Sequence, residues 1–278
     1  MELKKILVPI DSSVYTDGAT ETACRIALAH EAQLYGVAVL DSPEIRSSVI
    51  PAIGPYYPMM MDAVQAKLKH ADQVLNESLD RFANICAAAG VSHIETEYEG
   101  IPAQTLLQSS IFHDLLIIGL ETSFHFETRS GRGDTLDKLL DRTATPVLAV
   151  SSTGMGEPKK VTIAFDGSFG SSRALRDFMI FGLPFQPEIT LVTAALPSEE
   201  SHFLLENARA LLQLHGFENV NTYSSDESVE KTFTDEFVEP SDLIVAGIHS
   251  RKRFKDIFVG SFTKHLIQEC NTALFLSH

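Results

Sequence analysis

The strongest constraint on this chain is an internal duplication. The segment Lys4-Lys5-Ile6-Leu7-Val8-Pro9-Ile10-Asp11-Ser12-Ser13 returns as Lys159-Lys160-Val161-Thr162-Ile163-Ala164-Phe165-Asp166-Gly167-Ser168. Each copy is a basic start, a β-rich run, and an Asp followed by small residues. A second pair matches more closely: Asp-Leu-Leu-Ile-Ile-Gly at 114–119 returns as Asp-Leu-Ile-Val-Ala-Gly at 242–247. Both continue through a polar loop, a Gly, a short helical pattern and a terminal apolar run, at 146–150 and 272–276. A repeated unit sets the architecture before local detail does. Ser, Thr, Gly and Pro crowd residues 151–158, as in a surface connection. We therefore divide the chain into domains 1–152 and 158–278.

Within each half, apolar runs of strand length alternate with segments of helical period, which implies parallel strands joined by crossover helices. Strands are expected near 4–10, 34–40, 92–98, 114–119 and 146–151, and again near 160–165, 188–194, 219–224, 242–247 and 272–276. Helices in the second half should begin near 170, 199, 227 and 261. The clearest helix carries Val64, Leu68, Ala71, Leu75, Leu79, Phe82 and Ile85 on one stripe and stops at Gly90. Residues 41–60, rich in Pro and Gly, should resist regular structure and form a lid, an interface or a solvated insertion. The expected fold is α/β, with two tandem doubly wound domains, each a five-stranded parallel sheet of order 3-2-1-4-5.

Composition narrows the function classes. The chain has 22 Lys and Arg against 37 Asp and Glu, a formal charge of −15, which repels phosphate backbones and argues against nucleic-acid binding. Apolar runs such as 115–120 are far shorter than a bilayer span. The short apolar stretch after Met1 breaks at Pro9 and ends on Asp11, unlike a secretory leader, so a cytoplasmic location is expected. Cys24, Cys86 and Cys270 read as reduced, buried small residues. Ten histidines show no HExxH spacing, and GxSxG and GxxxxGK[ST] strings do not occur.

Doubly wound sheets bind ligands at the carboxyl ends of their strands, where the strand order reverses. Asp166 leaves the first strand of the second half there, and Gly247 leaves its fourth. The segment from Gly247 through His249, Ser250 and Arg251 to Gly260, Ser261 and Phe262 runs into a helix start. Its glycines and exposed helix amides could cradle an anion. Arg251, Lys252, Arg253 and Lys255 add a dense basic cluster. Equally open is the reading in which Ser261 only caps a helix and the cations are a solvated loop.

The spacing G-x2-G-x9-G-[S/T] after the fourth strand, with an Asp closing the first, resembles the ATP-binding type of universal stress protein. Gly247, Ser250, Gly260 and Ser261 take the four positions, Ser standing for the second Gly. The resemblance spans both halves, as in a tandem member. It implies an adenine nucleotide alpha hydrolase-like fold that binds ATP or ADP, with Mg²⁺, in the second half. There Asp166 and Gly167 would contact the nucleoside, and His249, Ser250, Arg251, Gly260, Ser261 and Phe262 would surround the phosphates. It also implies that 147–150 pairs with 274–276 in an intramolecular pseudo-dimer, with room for a further homodimer contact. The first half departs from the pattern. Thr122 takes the second Gly position and Asp134 takes that of the Ser or Thr, so a carboxylate would face the phosphate, and poor or no ATP binding is expected there. Three roles remain: a nucleotide-responsive regulator with no assigned catalytic residue, a nucleotide-free interaction module, or a slow ATPase.

Overall fold

In a computed structural model of the chain, residues 2–49, 54–122, 124, 135–248 and 260–278 are described. The apolar runs are strands because both faces of each are covered, which removes the polar alternation of a half-exposed sheet. The first half runs β1 (Lys5–Ile10), α1 (Val14–His30), β2 (Gln33–Leu40), α2 (Ser42–Ser47), α3 (Tyr57–Ala89), β3 (His93–Glu99), α4 (Pro102–Ser110), β4 (Leu115–Gly119), α5 (Thr135–Leu140) and β5 (Val147–Val150). The second repeats the plan with β6 (Lys160–Ala164), α6 (Phe169–Gly182), β7 (Glu188–Ala194), α7 (Ser198–Leu214), β8 (Val220–Ser225), α8 (Val229–Thr232), β9 (Leu243–Gly247), α9 (Ser261–Glu269) and β10 (Ala273–Ser277). A π-helical turn, Phe233–Phe237, continues α8.

Within each half the neighbour order is the expected one. The fifth strands of the two halves pair, as the family resemblance implies. The two sheets join into one ten-stranded sheet, β3-β2-β1-β4-β5-β10-β9-β6-β7-β8. The junction is antiparallel, Leu274 facing Ala149, Phe275 facing Leu148 and Leu276 facing Val147; the other strand pairs are parallel. Joining the apolar fifth strands removes two edges that would otherwise template aggregation. The first outer edge, β3, carries Glu95, Glu97 and Glu99.

Alternate residues feed two cores. Ile6, Val8, Leu115, Ile117, Val161, Ile163 and Phe275 pack under the layer of α1, α3, α6 and α7. On the opposite face Leu7, Leu116, Ile118, Ile244, Leu274 and Leu276 meet Leu139, Phe233 and Leu266. Both cores draw residues from both halves.

The repeated Asp of the fourth strand has a structural purpose. The Asp114 carboxylate accepts the backbone N–H groups of Lys4 and Lys5 at 2.8 and 2.9 Å. Asp242 accepts those of Lys159 and Lys160 at 2.9 and 2.8 Å. Each Asp thus fastens the entry of the first strand to that of the fourth, which is why the basic start and the distant Asp recur together.

Two expectations need correction. Part of the 41–60 segment is regular: Asp41 caps α2 by accepting the Glu44 N–H at 3.0 Å, and α3 begins at Tyr57 after a 3₁₀ turn at Gly54–Tyr56. Pro43 and Pro58 sit in first helical turns, where a missing N–H costs nothing. The connection at 151–158 is not a loose surface link. Met155 is buried, and its carbonyl accepts from Arg25 Nε and Nη2 at 3.0 and 2.8 Å. Its N–H donates to Thr22 Oγ1 at 2.7 Å. A methyl on Gly18 would come within 2.5 Å of the Ser152 carbonyl, so Gly is what lets this segment lie on α1.

Candidate functional site

The register Ile163 to Val245 places the carboxyl ends of β6 and β9 side by side, at the point where the strand order reverses. At the first end, Asp166 and Gly167 are exposed. The Asp166 carboxylate accepts the Ser168 N–H at 3.0 Å, closing an Asx turn that starts α6. Gly167 has φ of 71°, and a methyl there would lie 2.8 Å from Leu204 of α7. Ser168 caps α6 by accepting the Ser171 N–H at 3.2 Å.

At the second end, Gly247 is required by packing. A methyl on it would approach the Gly170 carbonyl carbon to 2.3 Å, so the pair of glycines lets α6 rest directly on β9. Gly260 caps α9 with extended backbone, φ −60° and ψ 156°, and offers no side-chain acceptor to the first amides of that helix. Ser261 is exposed and opens α9. Phe262 is half-buried, its ring edge-on to Phe233 at 4.9 Å. His249, Ser250 and Arg251, with the rest of the basic cluster, lie outside the described residues.

Two residues of this mouth escaped the sequence reading. Glu230, on α8, accepts a hydrogen bond from Ser261 Oγ at 3.3 Å, which sets a carboxylate beside the start of α9. The first half has Ala103 at the equivalent place, one residue into its own helix. Phe169 stands 80% exposed at the first position of α6. Only the aromatic immediately after a capping Ser was visible in the sequence; the Glu230 contact spans 31 residues. Nearby, His265 Nε2 and Thr234 Oγ1 are 2.8 Å apart, which engages His265 with the π-helical turn.

At the corresponding strand ends of the first half the described polar side chains are turned inward. Asp11 is fully buried and accepts from the Ser13 N–H at 3.0 Å, the Ser13 hydroxyl at 2.7 Å and the Thr16 hydroxyl. Thr122 is buried and donates to the Gly119 carbonyl at 2.9 Å. A methyl on Gly119 would meet Tyr15 at 2.3 Å, and Phe124 is wholly buried. Asp134 lies outside the described residues. The two aspartates that match in sequence therefore differ in state: one is sealed into a cap, the other faces solvent.

Among the described residues, no group of three His, Cys, Asp or Glu is placed to hold a metal ion, and no helix is long and apolar enough to cross a membrane.

Comparison with known proteins places this geometry. A universal stress protein from Archaeoglobus fulgidus DSM 4304 superposes over 100% of this chain and 99% of its own, with a TM-score of 0.73 at 15% identity. Two proteins of Pseudomonas aeruginosa follow. One, of unknown function from strain PAO1, has TM-score 0.61, 13% identity and coverage of 99% and 92%. The other, a putative universal stress protein from strain UCBPP-PA14, has TM-score 0.60, 14% identity and coverage of 99% and 93%. These likenesses carry the fold over the full length. No curated protein matches the chain. The model of the universal stress protein family matches residues 2–151, more than half the chain, and the protein therefore belongs to the universal stress protein family.

Proposed function

We propose that this chain is a tandem universal stress protein, with domains 1–152 and 158–278, that binds ATP or ADP in the second domain and acts in the cytoplasm as a nucleotide-responsive regulator. The observation that carries the reading is an exposed Asp166 and a Gly260-capped start of α9 that follow the same ends of the adjacent strands β6 and β9. The residues suit the ligand. Asp166 can accept from a ribose or base, and the α9 amides, with Ser261, can receive phosphate oxygens at the positive end of the helix dipole. Mg²⁺ would enter as the counter-ion of the phosphates. The first domain has spent its equivalent Asp11 on an internal cap, and we assign no nucleotide to it.

The Glu230 carboxylate beside Ser261 favours a second reading, a nucleotide-free interaction module, because a phosphate there must displace or neutralise an anion. Calorimetric titration of ATP and ADP separates the two. Heat of binding with the wild type, lost in Gly260→Glu, supports the nucleotide reading; no heat with either overturns it. Hydrolysis is a further question for the same sample: phosphate release above background that vanishes in Asp166→Ala would make the protein an ATPase.

A further inference from the structure

The nucleotide reading makes no use of the cysteines of the first half. Cys24 on α1 and Cys86 on α3 are separated by 62 positions in sequence, yet their sulfurs lie 3.8 Å apart. Both are buried, at 3% and 0% exposure. Both belong to the hydrophobic core under α1 and α3, and among the described residues they are part of no group of three side chains able to hold a metal ion. Two thiols held against each other on adjoining helices need close by less than 2 Å to reach the roughly 2.0 Å of a disulfide.

We propose that Cys24 and Cys86 are a redox modification site, at which a peroxide oxidises the pair to an intrachain disulfide linking α1 to α3. The Cys24 thiolate attacks one peroxide oxygen; the S–O bond forms, the O–O bond breaks, and the departing hydroxide takes a proton to leave as water. The Cys86 sulfur then attacks Cys24, forming the S–S bond and breaking S–O, and the second oxygen leaves as water with the Cys86 proton. The pair loses two electrons and two protons, and the peroxide is reduced to two waters. Cys24 comes first in this scheme because of its electrostatic surroundings. The Cys86 thiol, donating to Cys24 once that sulfur ionises, together with the positive charge of Arg25, draws Cys24 below the usual thiol range. Donating that hydrogen bond, and burial, push Cys86 up. Attack in either order gives the same disulfide, so the site is defined by the 3.8 Å approach of the two sulfurs and not by which one reacts first. Because neither is accessible in the closed fold, the step proceeds through local opening of the α1–α3 contact and is slow.

The site is placed where a cross-link matters. α1 also carries Thr22 and Arg25, which hold Met155 of the connection between the halves, and His30, whose Nε2 lies 3.0 Å from the Phe181 carbonyl of the second half. Pinning α1 to α3 stiffens the helix on which the two halves are joined.

The test uses the full chain carrying Cys270→Ser, so that the pair alone can react. Hydrogen peroxide treatment, followed by denaturation and alkylation, should give an intact mass lighter by two hydrogens and unalkylated, with Cys24 and Cys86 recovered in one cross-linked peptide. Dithiothreitol should restore two alkylatable thiols. Two separately alkylated cysteines, sulfinic acid on either, or a disulfide between chains would each overturn the proposal. The wild-type chain is the check against a folding defect in the variant: a peptide joining Cys270 to either partner overturns it equally.

Discussion

At the residue scale, the second mouth balances attraction and repulsion around α9. Glu230→Gln removes the carboxylate but keeps an acceptor for Ser261. One charge fewer at such a distance, in a largely solvated site, is worth about 1 kcal/mol, so ATP affinity by calorimetry should rise roughly fivefold. An unchanged affinity in a variant that binds would show that Glu230 does not oppose the phosphate. Gly247→Ala tests packing instead of ligand contact. With backbone atoms 2.3 Å and 2.5 Å from the added carbon, α6 must move off β9, and a loss of about 1–3 kcal/mol in denaturant unfolding is expected. Full stability would mean that the two backbones are not in contact. The Asp166 motif and the two glycines of this mouth were legible in sequence because short motifs record local backbone demands. Glu230 was not, since it reaches Ser261 only through the packing of α8 on α9. An aromatic next to a helix start gives no sign in sequence of which face it takes; the fold sets the half-buried ring of Phe262 against Phe233.

At the scale of elements, a buried histidine, His30, and a half-buried one, His113, sit where helices end against their neighbours. His30, the last residue of α1, packs against Phe181 of α6 and Phe185 just beyond that helix, while the ring of His113 lies 4.9 Å from that of Tyr35 and its Nδ1 2.7 Å from the Ser109 carbonyl. Burial lowers both from their ordinary value of 6.5. For His30 the Phe181 carbonyl and Glu2 work against that shift and Lys4 with it. For His113 the Ser109 carbonyl and Asp114 oppose it and Lys5 assists. The unfolded chain therefore takes up protons below about pH 6.5 that the folded chain refuses, so stability is retained above that pH and falls as the medium is acidified through it. Melting temperatures at pH 7.5 and pH 5.5 should show the decline, and His30→Gln should flatten part of it; an identical pH slope in that variant would remove His30 from the account. The strand staples are a second element-scale device. Asp242→Ala takes the acceptor from two backbone amides and should cost about 1–2 kcal/mol in denaturant unfolding. The repeat made the Asp and the paired lysines visible together, but only the structure showed that it is the main-chain amides of those lysines, and not their charges, that the carboxylate holds.

At the scale of the whole molecule, the two halves share both hydrophobic layers and one sheet. Phe275, on the junction strand, packs against Phe178 and Phe181 of its own half at 6.2 and 5.2 Å, and its backbone partner is Leu148 of the other. Separate melting of the halves would expose two apolar strand edges, so a single calorimetric transition, with van't Hoff and calorimetric enthalpies in agreement, is expected. Two resolved transitions would show that the β5–β10 ladder does not couple them.

The sequence by itself determined that the chain holds two copies of one alternating α/β unit, because parallel strands covered on both faces must be written as apolar runs and their crossover helices as 3.6-residue stripes. It also marked the strand ends where glycine and aspartate gather. The joining of the two sheets was already implied by the family resemblance. Tertiary packing alone decided that residues 151–158 are clamped onto α1 and that Asp11 is buried while Asp166 is exposed. Each of these depends on contacts between residues remote along the chain, such as the Thr22 hydroxyl and the Met155 amide 133 positions away, or on which neighbours fill a space. Neither leaves a periodicity or a motif in the order of the amino acids.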